Sequence, residues 1–205
     1  MSFMTQQQDA PGKRAAQGRA TRGQLIEVAT RLFAEHGYES TSIEAVLTAA
    51  GVSRGALYHH FAGKEALFEA VVSAVSEQVT VELTEAVRGC ADPLDAMRTA
   101  AIAWIDLAAD PVIQRVVLVD APSVLGWERW RDMDGGRTLG TLRATLQAVS
   151  DSGRLPSALV NPFSHMILAA LDEIVLVVAR APDSTAAVAE GRMAVEALLD
   201  RLLRP

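Results

Sequence analysis

The tightest constraint on this chain is a four-residue link, Ala50-Gly51-Val52-Ser53, set between two segments that each carry a helical stripe of apolar side chains. Upstream, Ile43, Val46, Leu47 and Ala50 recur at the helical period; downstream, Leu57 and Phe61 do so. A link this short that contains glycine turns two helices sharply against each other. Ser53 is placed to cap the downstream helix, and Thr41, three residues before Glu44, has the spacing of a capping box that opens the upstream one. A preceding helix is striped by Leu25, Val28, Ala29, Leu32 and Phe33 and closed at His36-Gly37. Gly63-Lys64 ends the third helix, and a long one is expected from Lys64 to about Val87.

The rest of the chain repeats the helical signal. Asp92-Pro93, Asp110-Pro111 and Asn161-Pro162 each put a capping side chain before a proline suited to the first helical position. Helices are therefore expected near 93–109, 111–119, 127–151, 162–180 and 184–203. The run Val116 to Val119 has strand propensity, but no alternating pattern or hairpin turn supports a sheet. The expected fold is all-α, with a three-helix helix-turn-helix domain at 21–66 and a helical bundle at 67–205. Residues 1–20, rich in Gln, Ala and Gly and without apolar periodicity, are expected to form a disordered basic arm.

The formal net charge is −6, but residues 1–64 hold seven Lys/Arg against five acids, and the remainder twelve against twenty. A mildly basic front on an acidic body permits one end to approach phosphate. The single cysteine, Cys90, rules out an intramolecular disulfide and fits a cytoplasmic location. The first residues lack an apolar run, so no secretory leader is expected. The hydrophobic stretch Phe163 to Ala179 is interrupted by His165, Asp172 and Glu173 and reads as a buried helix, not a membrane span.

In a helix-turn-helix unit the second helix enters the major groove while the first crosses the backbone. With Leu57 and Phe61 turned inward, Ser53, Arg54, Gly55, Ala56, Tyr58 and His59 lie toward the N-terminal or outer side. Arg54 suits a bidentate contact to guanine and Ala56 a thymine methyl. Gly55 lets backbone approach closely. Thr41, Ser42, Tyr58, His60 and Lys64 are placed for phosphate. The bland alternative is a three-helix unit with no DNA and Tyr58 as a packing aromatic. His59 and His60, being consecutive, point about 100° apart and do not share a metal.

The run TSIEAVLTAAGVSRGALYHHFAGKEALFEAV resembles the signature of the TetR/AcrR family of transcriptional regulators. The pattern is carried by Ala50-Gly51-Val52-Ser53, Gly55, Leu57-Tyr58, His60-Phe61, Lys64 and Leu67. The resemblance covers about residues 21–70. It implies an all-α homodimer with two DNA-binding heads, usually repressing transcription until a small molecule binds. It also implies that Ser53, Arg54, Gly55, Ala56, Tyr58, His59, His60 and Lys64 face DNA. The chain departs from the pattern at Leu47, often Ala, and at Ala49, often basic or polar, which implies one phosphate contact fewer.

Behind such a head, the remaining helices are expected to hold a dimer and an effector. Val188, Gly191, Val195, Leu198 and Leu202 have heptad-like spacing, and Gly191 allows a partner helix to approach. Pairing this helix and the one before it with their copies gives a four-helix interface, in which Asp172 and Glu173 are expected to pair with arginine across the dimer, the alternative being a cationic ligand. An intramolecular core would give the same stripe. Met97, Trp104, Trp127, Trp130, Met133, Phe163 and Met166 are candidates for an apolar effector cavity, with plain core as the alternative. Catalytic motifs, metal-ligand spacings and cofactor loops are absent from the sequence, so no catalytic residue, metal or cofactor is expected. The expected function is a ligand-released repressor of a palindromic operator. The alternatives are a helical sensor or carrier without DNA binding, and an enzyme with dispersed residues.

Overall fold

A computed structural model describes the backbone of residues 11–203 and, within it, the side chains of 15–133 and 138–202. Among the described residues there is no strand. Contacts divide the chain into two compact units, with the boundary between Val71 and Val72.

The first unit contains α1 (Pro11–Ser40), α2 (Ile43–Ala50), α3 (Arg54–His60) and the opening turns of α4 (Lys64–Ala86). Leu25, Ala29 and Phe33 on α1, Val46 on α2, Leu57 on α3, and Leu67 and Phe68 on α4 are essentially inaccessible to solvent. Phe33 and Phe68 meet edge to face at 5.1 Å, and Tyr38 closes on Phe68 at 4.8 Å. Burial, with Glu65 and Glu39 nearby, raises the Tyr38 hydroxyl above the usual tyrosine range, so it stays protonated. Phe68 and Val71 extend the core of this unit five residues past the expected end at residue 66, because one α4 face completes the α1 stripe.

The second unit contains the rest of α4, then α5 (Pro93–Leu107), a π-helical stretch (Ile113–Asp120), α6 (Ala121–Leu125), α7 (Trp127–Asp151), a 3₁₀ turn (Ser157–Leu159), α8 (Val160–Arg180) and α9 (Ser184–Leu203). The helix α8 packs on α5, α7, α9 and the π-helical stretch, burying Ile167, Leu168, Leu171, Val175, Leu176 and Val178. Asp92 caps α5 as its sequence suggests, accepting from Leu94 N at 2.7 Å. Its other carboxylate oxygen accepts from Arg154 at 2.9 Å, which holds the carboxyl below the usual aspartate range. Asp110 accepts from Val112 N and Ile113 N. The valine-rich segment is wound as a π-helix, not a strand; at its end Ala121 N donates to Val116 O, five residues back.

Three local expectations are corrected. Residues 11–20 are helical, not a disordered arm, while residues 1–10 lie outside the described part. Lack of an apolar stripe does not exclude a helix, and Pro11 at the first position with Ala, Gln and Arg after it suits one by propensity. The N-cap of α2 is Ser42, not Thr41: Ser42 Oγ accepts from Ala45 N at 3.1 Å. Asn161 does not cap α8, which begins at Val160 through the 3₁₀ turn; its side chain accepts from Arg143 at 2.9 Å.

Candidate nucleic-acid interface

The turn between α2 and α3 is fixed by three devices. Gly51 adopts the left-handed conformation (φ 64°), which lets its N–H and that of Val52 bond back to the last carbonyls of α2. Gln24 Nε2 donates to Ala50 O at 2.9 Å, tying α1 to this corner. Ser53 caps α3 and accepts from Ala56 N at 3.3 Å. Leu57 and Phe61 then anchor α3 in the core, at 0% and 5% exposure.

That anchoring decides which side chains remain outside. Ser53, Arg54, Gly55, Tyr58 and His59 are exposed; Ala56 and His60 are partly covered. Among the described residues nothing lies within 4 Å of a Cβ built on Gly55, so packing among them does not demand a glycine there. His59 and His60 rings contact each other at 5.0 Å, and among the described residues no His/Cys/Asp/Glu cluster could hold a metal ion. Arg54 forms an exposed ion pair with Glu44 of α2. Two further cations of the head are held differently. Lys64 Nζ lies 4.1 Å from the Tyr38 ring centroid and 3.4 Å from Glu39 O. The Arg22 guanidinium lies over the Phe61 ring at 5.3 Å. The first part of α1 runs beside α3, since a Cβ on Gly18 would come within 3.8 Å of His60.

Thr41 is the predicted contact residue that this surface does not contain. It is 2% exposed, and its hydroxyl lies 2.8 Å from Gly37 O and 3.2 Å from Leu32 O. It braces the kink of α1 at Gly37. Ser42, by contrast, is exposed. Glu44 and Arg22 were missed as members of this surface. Neither carries a local signal, because each meets its partner only once the helices are packed.

In the second unit, two adjoining cavities of about 290 and 270 Å³ share Val79, Trp104, Thr138, Leu168 and Asp172 as walls. The first is completed by Trp130, Met133 and His165, the second by Met97, Leu83 and Leu142. Four of the seven predicted effector residues thus line cavity wall: Met97, Trp104, Trp130 and Met133. Phe163 lines neither cavity. Met166 and Trp127 point outward at 56% and 48% exposure, Trp127 resting against Trp130 at 4.8 Å.

The predicted dimer residues divide as well. Gly191 and Val195 are buried within their own unit. A Cβ on Gly191 would come within 3.0 Å of the Ile174 side chain and 3.3 Å of Ile105, so the close approach that this glycine allows is to α8 and α5 of its own chain. Val188, Leu198 and Leu202 are half-buried on the same side of α9, and Asp172 lines the cavities. The surface of α8 and α9 instead presents Met166, Val177 and Met193, the last two at 54% and 62% exposure. The segment Ser157–Arg180 is long and apolar enough to cross a membrane, yet only 39% of its most apolar window is buried.

Comparison with known proteins bears on both units. Residues 25–71 match the family described as bacterial regulatory proteins, tetR family, and residues 94–202 match the tetracyclin repressor-like C-terminal domain. Over 113 residues the chain is 36% identical to the transcriptional repressor AcnR of Corynebacterium glutamicum, covering 51% of this chain and 60% of AcnR. It is 32% identical over 84 residues to the repressor KstR2 of Mycobacterium tuberculosis, covering 41% and 42%. The chain therefore spans less than two thirds of either repressor's length. A crystal structure of a TetR-family transcriptional regulator from Pectobacterium atrosepticum superimposes with a TM-score of 0.81 at 31% identity, covering 92% of this chain and 96% of that one. With matches in both the helix-turn-helix unit and the helical bundle behind it, the chain belongs to the TetR family of transcriptional regulators.

Proposed function

We propose that this protein is a DNA-binding repressor that grips a palindromic operator as a homodimer in the cytoplasm and releases it when a small, largely apolar effector enters the α4–α8 cavities. The observation that carries this reading is the faceting of α3: Leu57 and Phe61 fix it to the head, while Arg54, Tyr58 and His59 stay exposed. An N-terminal end of a helix presented in this way suits the major groove. Arg54 and Ala56 read bases; Ser42, Ser53, Tyr58, His59, His60 and Lys64 anchor phosphates, and Gly55 admits the backbone. Repression is supported by the two similar repressors.

Effector control runs through α4 in this reading. Its residues Leu67 and Phe68 are buried in the head, and its residues Val72, Ser76 and Val79 line the first cavity. A ligand that favours one seating of α4 changes the spacing of two heads in a dimer, and only one spacing fits successive major grooves.

The test is binding to a randomised operator library. Arg54→Ala is expected to relax base preference at one position per half-site, at a cost of about 1–3 kcal/mol. Lys64→Ala is expected to weaken all sequences alike and to lower the salt slope by about one. No binding to any genomic fragment at low salt would leave a sensor or carrier. For the cavity, Trp104→Ala, which alters a wall shared by both compartments, is expected to weaken effector-induced release at least tenfold while operator affinity without effector changes less than threefold (roughly 1.4 and 0.7 kcal/mol). Equal loss in both assays would assign Trp104 to the core alone.

A further inference from the structure

We propose that Glu44 is a positioning residue for base reading: it holds the Arg54 guanidinium in one orientation at the start of α3 and so sharpens discrimination by the head. The inference rests on the assignment of Arg54 as a base reader. Arg54 is the first residue of α3 and Glu44 lies in the first turn of α2. The two are ten residues apart, and the Gly51 turn brings their side chains into a direct ion pair.

Three physical points favour this role over a stabilising one. Both side chains are more than 60% exposed, and exposed pairs contribute little to folding because water and salt screen them. Arg54 sits where the unpaired N–H groups of α3 repel a cation, so without Glu44 the long side chain would move among many rotamers. The guanidinium has five donors in a rigid fork, and a carboxylate that takes one edge leaves the other edge oriented for a guanine. Arg22 and Lys64 rest on aromatic rings, whereas Arg54 is aligned by a carboxylate. A carboxylate on the DNA-facing side also repels phosphate, which lowers affinity for arbitrary sequence.

The experiment compares the full-length wild type with Glu44→Ala, Glu44→Gln, Arg54→Ala and the double alanine variant on the operator library. Glu44→Ala is expected to reduce discrimination about tenfold at the base pair read by Arg54, and to raise affinity for random-sequence DNA severalfold. Other positions keep their preference. Glu44→Gln, whose amide oxygen still accepts from Arg54, is expected to retain most of the discrimination but to share the gain in random-sequence affinity. The double variant should discriminate no worse than Arg54→Ala. A Glu44→Ala preference profile identical to wild type overturns the proposal, as does a loss spread evenly over all positions. Failure of the wild type to bind DNA overturns the functional reading instead, so the two failures are distinguishable.

Discussion

Replacing Phe68 with alanine is expected to destabilise the helix-turn-helix head by about 3–5 kcal/mol, the range for truncating a fully buried aromatic side chain. Phe68 is completely inaccessible and is the ring against which both Phe33 and Tyr38 pack. The loss has two parts: the apolar area returned to water and the cavity left among rings that cannot close over it. The aromatic contacts themselves add about 0.5–1.5 kcal/mol each beyond area. The chain offers a clean measurement. All three tryptophans, Trp104, Trp127 and Trp130, lie in the second unit. Tryptophan fluorescence therefore follows the bundle, whereas far-ultraviolet circular dichroism follows both units. For Phe68→Ala, helical signal is expected to fall at lower denaturant than the fluorescence change, with operator binding lost in the same step. Phe68→Leu, which keeps most of the volume, should cost less than half as much. A single coincident transition shifted by under 1 kcal/mol would mean that α4, and not the aromatic cluster, holds the head.

That cluster also marks how far the sequence could be read. The stripes on α1, α2 and α3 were legible because each helix buries one face at the helical period, and Gly51 and Ser53 are local devices whose partners lie within a few residues. The same reading failed where the partner lies far along the chain. Thr41 carries the spacing of a cap, yet its hydroxyl bridges Gly37 O and Leu32 O behind the kink of α1. Nothing in the spacing of Glu44 and Arg54 predicts their pairing, since it depends on the angle between α2 and α3. Trp127 and Trp130 are equally apolar in sequence; Trp130 is 9% exposed at the cavity and Trp127 is 48% exposed. On α9 the ambiguity is of another kind. A heptad-like stripe says that a face is buried, but not whether its own chain or a second copy does the burying.

For α9 the structure answers that question for Gly191 and Val195, and the dimer reading moves to the outer face. Placing carboxylates there, as Val177→Glu with Met193→Glu, is expected to yield a folded monomer. Both positions are exposed in the single chain, so the substitutions alter its stability by no more than about 0.5 kcal/mol. In a dimer each carboxylate would be buried in an apolar interface without a partner, a penalty of several kcal/mol per site. In the proposed dimer two heads would bind linked half-sites, so loss of the dimer is expected to lower operator affinity by about 10²- to 10⁴-fold while affinity for an isolated half-site is unchanged. Sedimentation equilibrium gives the mass, and binding to full and half operators gives the avidity. Val195→Glu serves as the contrast: its side chain is 2% exposed within the chain, so it should unfold the bundle instead of dissociating it. A double variant that remains dimeric would show that the copies meet elsewhere than at the exposed Val177 and Met193.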